Sequence, residues 1–338
     1  MITMSDVSML WTGLDYERSG KQSDYLRLPH SSDLSAYGWI PIPLVVIANG
    51  TGPTLLLTAG THGDEYEGQI ALNRLARELR PEDINGRVII MPALNFPAVM
   101  AGRRVSPLDE GNLNRLFPGD PKMGPTAAIA HYVDKVLFPK CDLVIDLHSG
   151  GRSLDYLPLA LAHPGSNDAH REKVKSLLNA FGAPFSVLTD GSGGGGHTTL
   201  YAAAAKRGIP ALTTELGGGA TLSPRGLAIA ETGVRRVLKH FGIASGLDVD
   251  DTSSTRLMRS LGREAAIYAP EGGLFEPNAD LGEMVAAGDL AGRIHFPDSP
   301  MRDPVELHFS NAGMISCRRF PTLTQRGDCL FNLMTDVQ

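Results

Sequence analysis

Cysteine is scarce in this chain, with three in 338 residues at Cys141, Cys317 and Cys329. No Cys-x-x-Cys pair is present to hold a structural metal, and an odd number of widely spaced thiols builds no disulfide framework. The three therefore read as buried thiols. Basic charge is not in excess either: the net charge is −6 and no basic patch stands out, which argues against a nucleic-acid or anionic-membrane partner. No apolar run approaches the roughly 18 residues of a membrane span. The first residues, Met1-Ile-Thr-Met-Ser-Asp6, lack the charged and apolar regions of a signal peptide, so a cytoplasmic protein is expected. Gly191-Ser-Gly-Gly-Gly-Gly196 lacks the Gly-Lys-Ser/Thr that completes a phosphate-binding loop, which rejects nucleotide binding. Lysine is missing altogether after Lys239.

What is present is a soluble enzyme's composition, 42% hydrophobic, enough for a full core and, at this length, for two domains. Strand-like runs at 54–60, 87–93, 142–147, 185–189 and 209–214 alternate with helix-like runs at 66–80, 126–138, 166–181, 198–207 and 223–241. That alternation is the α/β pattern. Residues before 50, including Tyr37-Gly-Trp-Ile-Pro-Ile-Pro-Leu-Val-Val-Ile47, read as extended strands. The last helix carries its own limits: Ser223 as N-cap, Pro224 in its first turn, Lys239 and His240 near its end and Gly242 to stop it.

Chemistry concentrates where strands run out into glycine. Thr58-Ala-Gly-Thr-His-Gly-Asp-Glu65 holds the single His-x-x-Glu of the chain, and Asp142-Leu-Val-Ile-Asp-Leu-His148 ends a second strand in another His before Ser-Gly-Gly. In a parallel sheet, strand C-termini line one crevice, so such residues can meet. His62, Glu65 and His148 would supply the three protein ligands of a catalytic zinc, leaving a fourth position for water. The plain alternative makes both histidines backbone-bonded turn residues. A third strand, Ile209-Pro-Ala-Leu-Thr-Thr-Glu215, ends in a carboxylate that suits a general base and acid; its alternative role as a helix cap is taken better by Ser223. Asn114 and Arg115, in Gly111-Asn-Leu-Asn-Arg115, suit a substrate carboxylate, because a guanidinium binds one in bidentate fashion. Arg104 could stabilise an oxyanion, whereas Arg103 reads as a surface ion pair. The glycine-rich stretch at 191–196 reads as a mobile lid with His197 and Thr198 touching substrate, or equally as a plain turn. His163 reads as structural. Asp146 lies on the strand face of His148 and could orient its imidazole, or simply close the core edge.

The order of these motifs resembles the succinylglutamate desuccinylase and aspartoacylase family, a branch of the zinc carboxypeptidase clan. The likeness runs from about residue 45 to 245, with Asn95-Phe-Pro where the family often has Asn-Pro. It implies an α/β fold, a zinc-carboxypeptidase-like mixed sheet flanked by helices. It also implies one zinc ion per chain on His62, Glu65 and His148, Glu215 and Arg104 in catalysis, and Asn114 and Arg115 on the substrate. The expected reaction is hydrolysis of a small N-acyl amino acid amide, with N-α-acetyl-L-2,4-diaminobutyrate the best fit. A dicarboxylate deacylase or a metallocarboxypeptidase is the alternative. A homodimer is expected. A basic substrate side chain would ask for an acidic partner such as Asp109 or Glu110, and a dicarboxylate for a further arginine such as Arg152.

Past Lys239 the composition changes. Gly246-Leu-Asp-Val-Asp-Asp-Thr-Ser-Ser-Thr255 is polar and acidic, as linkers are. Beyond it Gly273-Leu-Phe and Ala287-Gly-Asp-Leu290 recur as Gly313-Met-Ile and Arg326-Gly-Asp-Cys329. Two such halves resemble the barrel-sandwich domain of lipoyl and biotinyl carriers, although without a lysine no such group can be attached. The expected division is a catalytic domain at 1–245, a linker at 246–262 and a small all-β barrel-sandwich domain at 263–338 that shapes the mouth of the active site, limits substrate size or joins subunits.

Overall fold

The computed structural model describes residues 8–165, 167–189, 191, 195–250 and 254–337. The chain opens with a long antiparallel pair, β1 (Gly20–Pro29) and β2 (Trp39–Asn49), and continues through β3 (Thr54–Ala59), α1 (Glu67–Glu78), β4 (Gly86–Met91), α2 (Phe96–Ala101), α3 (Pro125–Tyr132) and β5 (Leu143–Leu147). Then come β6 (Leu154–Tyr156), β7 (Leu159–Ala162), α4 (Asp168–Phe181), β8 (Phe185–Leu188), α5 (Leu200–Lys206), β9 (Ala211–Glu215), α6 (Pro224–His240) and β10 (Arg256–Ser260). The C-terminal strands are β11 (Ile267–Tyr268), β12 (Gly273–Pro277), β13 (Met284–Val285), β14 (Leu290–His295), β15 (Val305–His308), β16 (Gly313–Arg319), β17 (Leu323–Thr324) and β18 (Cys329–Asp336).

One mixed sheet carries the molecule, ordered β1-β2-β4-β3-β5-β9-β7-β8-β10-β18-β16-β13, with β11 and β6 paired off that path. At its centre β4, β3, β5 and β9 run parallel. Because both faces of that centre are covered, its strands are continuous apolar runs such as Leu55-Leu-Leu57 and Val88-Ile-Ile90, all fully buried. One face packs on α1, α4 and α6 and the other on the α3 and α5 side with β1 and β2. Helix α6 shows how a surface helix is specified. Ser223 Oγ accepts from Gly226 N at 3.0 Å, Pro224 opens the first turn, and Leu227, Ala230, Val234 and Val237 form the inward stripe. Burying each of the larger side chains contributes about 1.5–3 kcal/mol.

The repeat read from the sequence is structural. In each half a strand, a short strand and a Gly-Asp turn lead to a second strand, and the short strand pairs with the other half: β13 with β16, and β17 with β12. In the two turns Gly288 and Gly327 have φ of +95° and +89°, and the following Asp289 and Asp328 accept from Ala286 N at 2.7 Å and Gln325 N at 2.8 Å. The four-stranded sheet β15-β14-β12-β17 completes this all-β region around its own core.

Three local features differ from the sequence reading. Within 246–262, expected as a linker, Arg256–Ser260 is the strand β10, pairing with β8 on one side and β18 on the other; residues 251–253 lie outside the described residues. The short strands β6 and β7 and helix α2 carry no periodicity of their own. Leu154-Asp-Tyr and Leu-Ala-Leu-Ala are extended because β16 and β9 offer them partners, and α2 is one Pro-started turn after Asn95. The run at 126–138 is α-helical only to Tyr132, then widens and tightens through 133–140.

Candidate active site

The three parallel strands β3, β5 and β9 are neighbours, and each delivers its functional residues from its C-terminal end. His62 and Glu65 follow β3, His148 follows β5, and Glu215 ends β9. Gly68, in the first turn of α1, sets the separation: a Cβ there would stand 2.4 Å from Leu147 Cβ. Only glycine lets α1 lie so close to the residue before His148, and that brings Glu65 to the imidazole.

The possible ligand atoms of His62, Glu65 and His148 lie within 4.8 Å of one another, and all three residues are buried. The Glu65 carboxylate spans both rings, Oε1 at 2.7 Å from His62 Nδ1 and Oε2 at 2.8 Å from His148 Nδ1. The far nitrogen of each ring meets an acceptor. His148 Nε2 lies 2.7 Å from Asp146 Oδ2, and His62 Nε2 lies 3.1 Å from Asn112 Oδ1, so each ring is held from behind at Nε2 and turns its Nδ1 inward toward Glu65. Asn114 Nδ2, at 3.4 Å from His148 Nε2, competes poorly with Asp146. Asp146 is itself pinned by Thr58 Oγ1 at 2.7 Å and Thr61 Oγ1 at 2.9 Å, both donating to Oδ1. Two imidazoles and a carboxylate, each held from behind, are a donor set that could hold a metal ion such as zinc.

The electrostatics follow from burial and pairing. Burial alone would raise the Glu65 carboxyl, but His62 and His148 hold it well below the usual carboxylate range. Burial lowers His62. It also opposes charge on His148, yet Asp146 and Glu65 raise that ring well above an ordinary histidine. Glu215 goes the other way: burial first, then repulsion from Glu65, push it well up, and its Oε2 is buried with no hydrogen-bond partner. Burial, then Arg104, lower Arg115.

A cavity of about 390 Å³ joins these groups. His62, Arg104, Asn114, Arg115, His148 and Glu215 all line it. Arg104 Nη1 stands 3.2 Å from His62 Nδ1 and 3.5 Å from Glu65 Oε1. Arg115 Nη1 donates to Asn114 O at 2.7 Å, and Asn114 Oδ1 accepts from Leu200 N at 2.9 Å, fixing the pair to the start of α5. His197 is exposed and is not among the lining residues; its ring lies 6.3 Å from that of His163. Gly191, Gly195 and Gly196 do line the cavity, while 192–194 lie outside the described residues. Asp109, Glu110 and Arg152 do not line it. Asp109 accepts from Thr126 N and Oγ1, Glu110 pairs with Arg103 at 2.6 Å, and Arg152 is exposed. Sequence reasoning missed Asn112, which gives no signal beyond its nearness to Asn114. It also missed the cavity wall from the far end of the chain, Ser260, Ser316, Asn332 and Met334.

Fold and site together are those of an α/β protein with a buried donor set that could hold a metal ion, and the comparisons with known proteins make it a hydrolase. A model of the Succinylglutamate desuccinylase/Aspartoacylase catalytic domain matches residues 51–241. N-alpha-acetyl-L-2,4-diaminobutyric acid deacetylase of Halomonas elongata is 41% identical over 320 residues, 94% of this chain and 92% of its own. Among solved structures, the product-bound ectoine utilization protein EutE (DoeB) of Ruegeria pomeroyi is 42% identical with a TM-score of 0.92, covering 97% of this chain and 99% of that one. A succinylglutamate desuccinylase/aspartoacylase of Rhodobacter sphaeroides is 39% identical with a TM-score of 0.91, covering 98% and 100%. The chain belongs to the succinylglutamate desuccinylase/aspartoacylase family.

Proposed function

We propose that this protein is a zinc-dependent deacetylase that removes the acetyl group of N-α-acetyl-L-2,4-diaminobutyrate, a step of ectoine degradation. The observation that carries the reading is the gathering of His62, Glu65, His148 and Glu215 at adjoining strand ends with Arg115 in the same cavity. The likeness to the Halomonas elongata deacetylase over nearly the whole chain supports the choice of substrate.

His62 Nδ1, Glu65 and His148 Nδ1 would hold one zinc ion per chain. Such an ion would supply Lewis-acid polarisation of the amide carbonyl and would lower the pKa of a water toward ~7. Glu215, made basic by burial and by Glu65, takes the proton of the attacking water and returns it to the departing amine nitrogen. Arg115 anchors the substrate carboxylate with the guanidinium edge not given to Asn114 O, and Asn114 keeps that arginine in place. Arg104 faces the developing oxyanion from beside His62. Asp146 and Asn112 fix the tautomers of the two rings.

In the same reading the domains divide at 1–245, 246–262 and 263–338, with the C-terminal one closing the cavity against extended peptides. Its lining residues Ser316, Asn332 and Met334, together with Ser260 from the end of the 246–262 segment, support that role. The enzyme acts on a small molecule in the cytoplasm and as a homodimer, which sedimentation of the purified chain would test. Among the described residues no helix is long and apolar enough to cross a membrane. The function itself is tested by amine release from both regioisomers of acetyl-diaminobutyrate, acetyl-aspartate, succinyl-glutamate and a short peptide. Preference for the Nα-acetyl isomer is expected; preference for a dicarboxylate or the peptide would replace the reading with that of a desuccinylase, an aspartoacylase or a carboxypeptidase.

A further inference from the structure

The cavity has two unlike walls. Among the described residues both arginines that line it, Arg104 and Arg115, come from the segment between α2 and α3. The wall given by the C-terminal strands carries no charge: Ser260 of β10, Ser316 of β16, and Asn332 and Met334 of β18. These strands reach the site because β16 pairs with β6, Cys317 opposite Tyr156, and because Leu157 N donates to Ser316 O at 2.9 Å.

The hydrogen bonds already made on that wall decide what it can offer. Ser316 Oγ gives its proton to Asn332 O at 3.0 Å, so toward a ligand the hydroxyl presents lone pairs. Asn332 Oδ1 accepts from Leu333 N at 2.9 Å and keeps its second lone pair. Neutral side chains that include these two acceptor oxygens on one wall, and guanidiniums on the other, fit a ligand that is a carboxylate at one end and an ammonium at the other. A second carboxylate would find no cation on the C-terminal wall.

We infer that Ser316 and Asn332 form the subsite that reads the ammonium group on the substrate's side chain. The assignment rests on the deacetylase reading above and deepens it: the C-terminal strands select the substrate class through uncharged acceptors rather than an ion pair. Its test uses binding, which is separable from turnover. The zinc-loaded protein is titrated calorimetrically with L-2,4-diaminobutyrate and with L-2-aminobutyrate, which has the same carbon chain without the second amino group. Hydrogen bonds to a charged group predict roughly 10- to 100-fold tighter binding of the diamino acid. The combined Ser316→Ala and Asn332→Leu variant should bring the ratio close to one, and Ser316→Thr, which keeps the hydroxyl, should preserve it. Should the double variant not fold, Ser316→Ala alone carries the test, with a several-fold fall in the ratio expected. Equal binding of the two amino acids by the wild type, or a ratio unchanged in the variants, overturns the assignment. A wild type that prefers the diamino acid but cannot cleave its acetyl derivative overturns the proposed reaction and leaves the subsite supported.

Discussion

The strand ends of the parallel centre and the wall built by the C-terminal strands face one cavity with opposite chemistry. The first holds buried ionisable groups in fixed places: Glu65 between two imidazoles, Asp146 behind one of them, and Glu215 with its Oε2 unpartnered. The second offers Ser260, Ser316, Asn332 and Met334, all uncharged, with Ser316 Oγ bonded across to Asn332 O and Asn332 Oδ1 accepting from Leu333 N. The contrast separates two tasks. Charge that must be exact in position sits on the rigid, doubly covered sheet, whereas the fit to a particular substrate is left to a region that can change without disturbing the reacting groups.

Substitutions should therefore divide by wall. The largest effect belongs to His148→Ala, which should remove metal binding and turnover together; metal analysis after dialysis checks it, and retention of a full equivalent of zinc would move the site elsewhere. Arg115→Ala comes next. Losing a charge-assisted contact of about 1.5–3 kcal/mol should weaken substrate binding by roughly 10- to 100-fold, read as KM across acetyl-amino acids, with metal content unchanged. Asp146→Asn leaves the ligands in place but loosens one ring, so a 10- to 100-fold loss in zinc affinity is expected from competition with a chelator. The smallest effect belongs to the C-terminal turns: Asp289→Ala deletes the bond to Ala286 N and should cost about 1 kcal/mol, seen as a fall in melting temperature with kcat intact. A large drop in kcat there would erase the division between the two walls.

Much of the first wall was legible in the sequence because its signals are local. A strand running into glycine beside a His or Glu says where that side chain will point, and the parallel order of β3, β5 and β9 does the rest. The Gly-Asp turns announced the repeat for the same reason: each is a complete device within a few residues. The second wall was legible only as a general role in shaping the cavity mouth. Ser260, Ser316 and Asn332 are ordinary strand residues whose place depends on β10 joining β8 and on β16 pairing with β6, partners more than 60 residues away in sequence. The exposure of His197 was no more legible, since nearness to a glycine-rich stretch does not say which side of it a ring will take.

The central claim is that Glu215 moves the proton for a metal ion held by His62, Glu65 and His148. Its most direct test is the Glu215→Gln variant, loaded with zinc and assayed for amine release from N-α-acetyl-L-2,4-diaminobutyrate beside the wild type. The account predicts a full complement of zinc and a fall in kcat of about 10²- to 10⁴-fold. A variant that keeps its zinc and more than a tenth of the wild-type rate would contradict it.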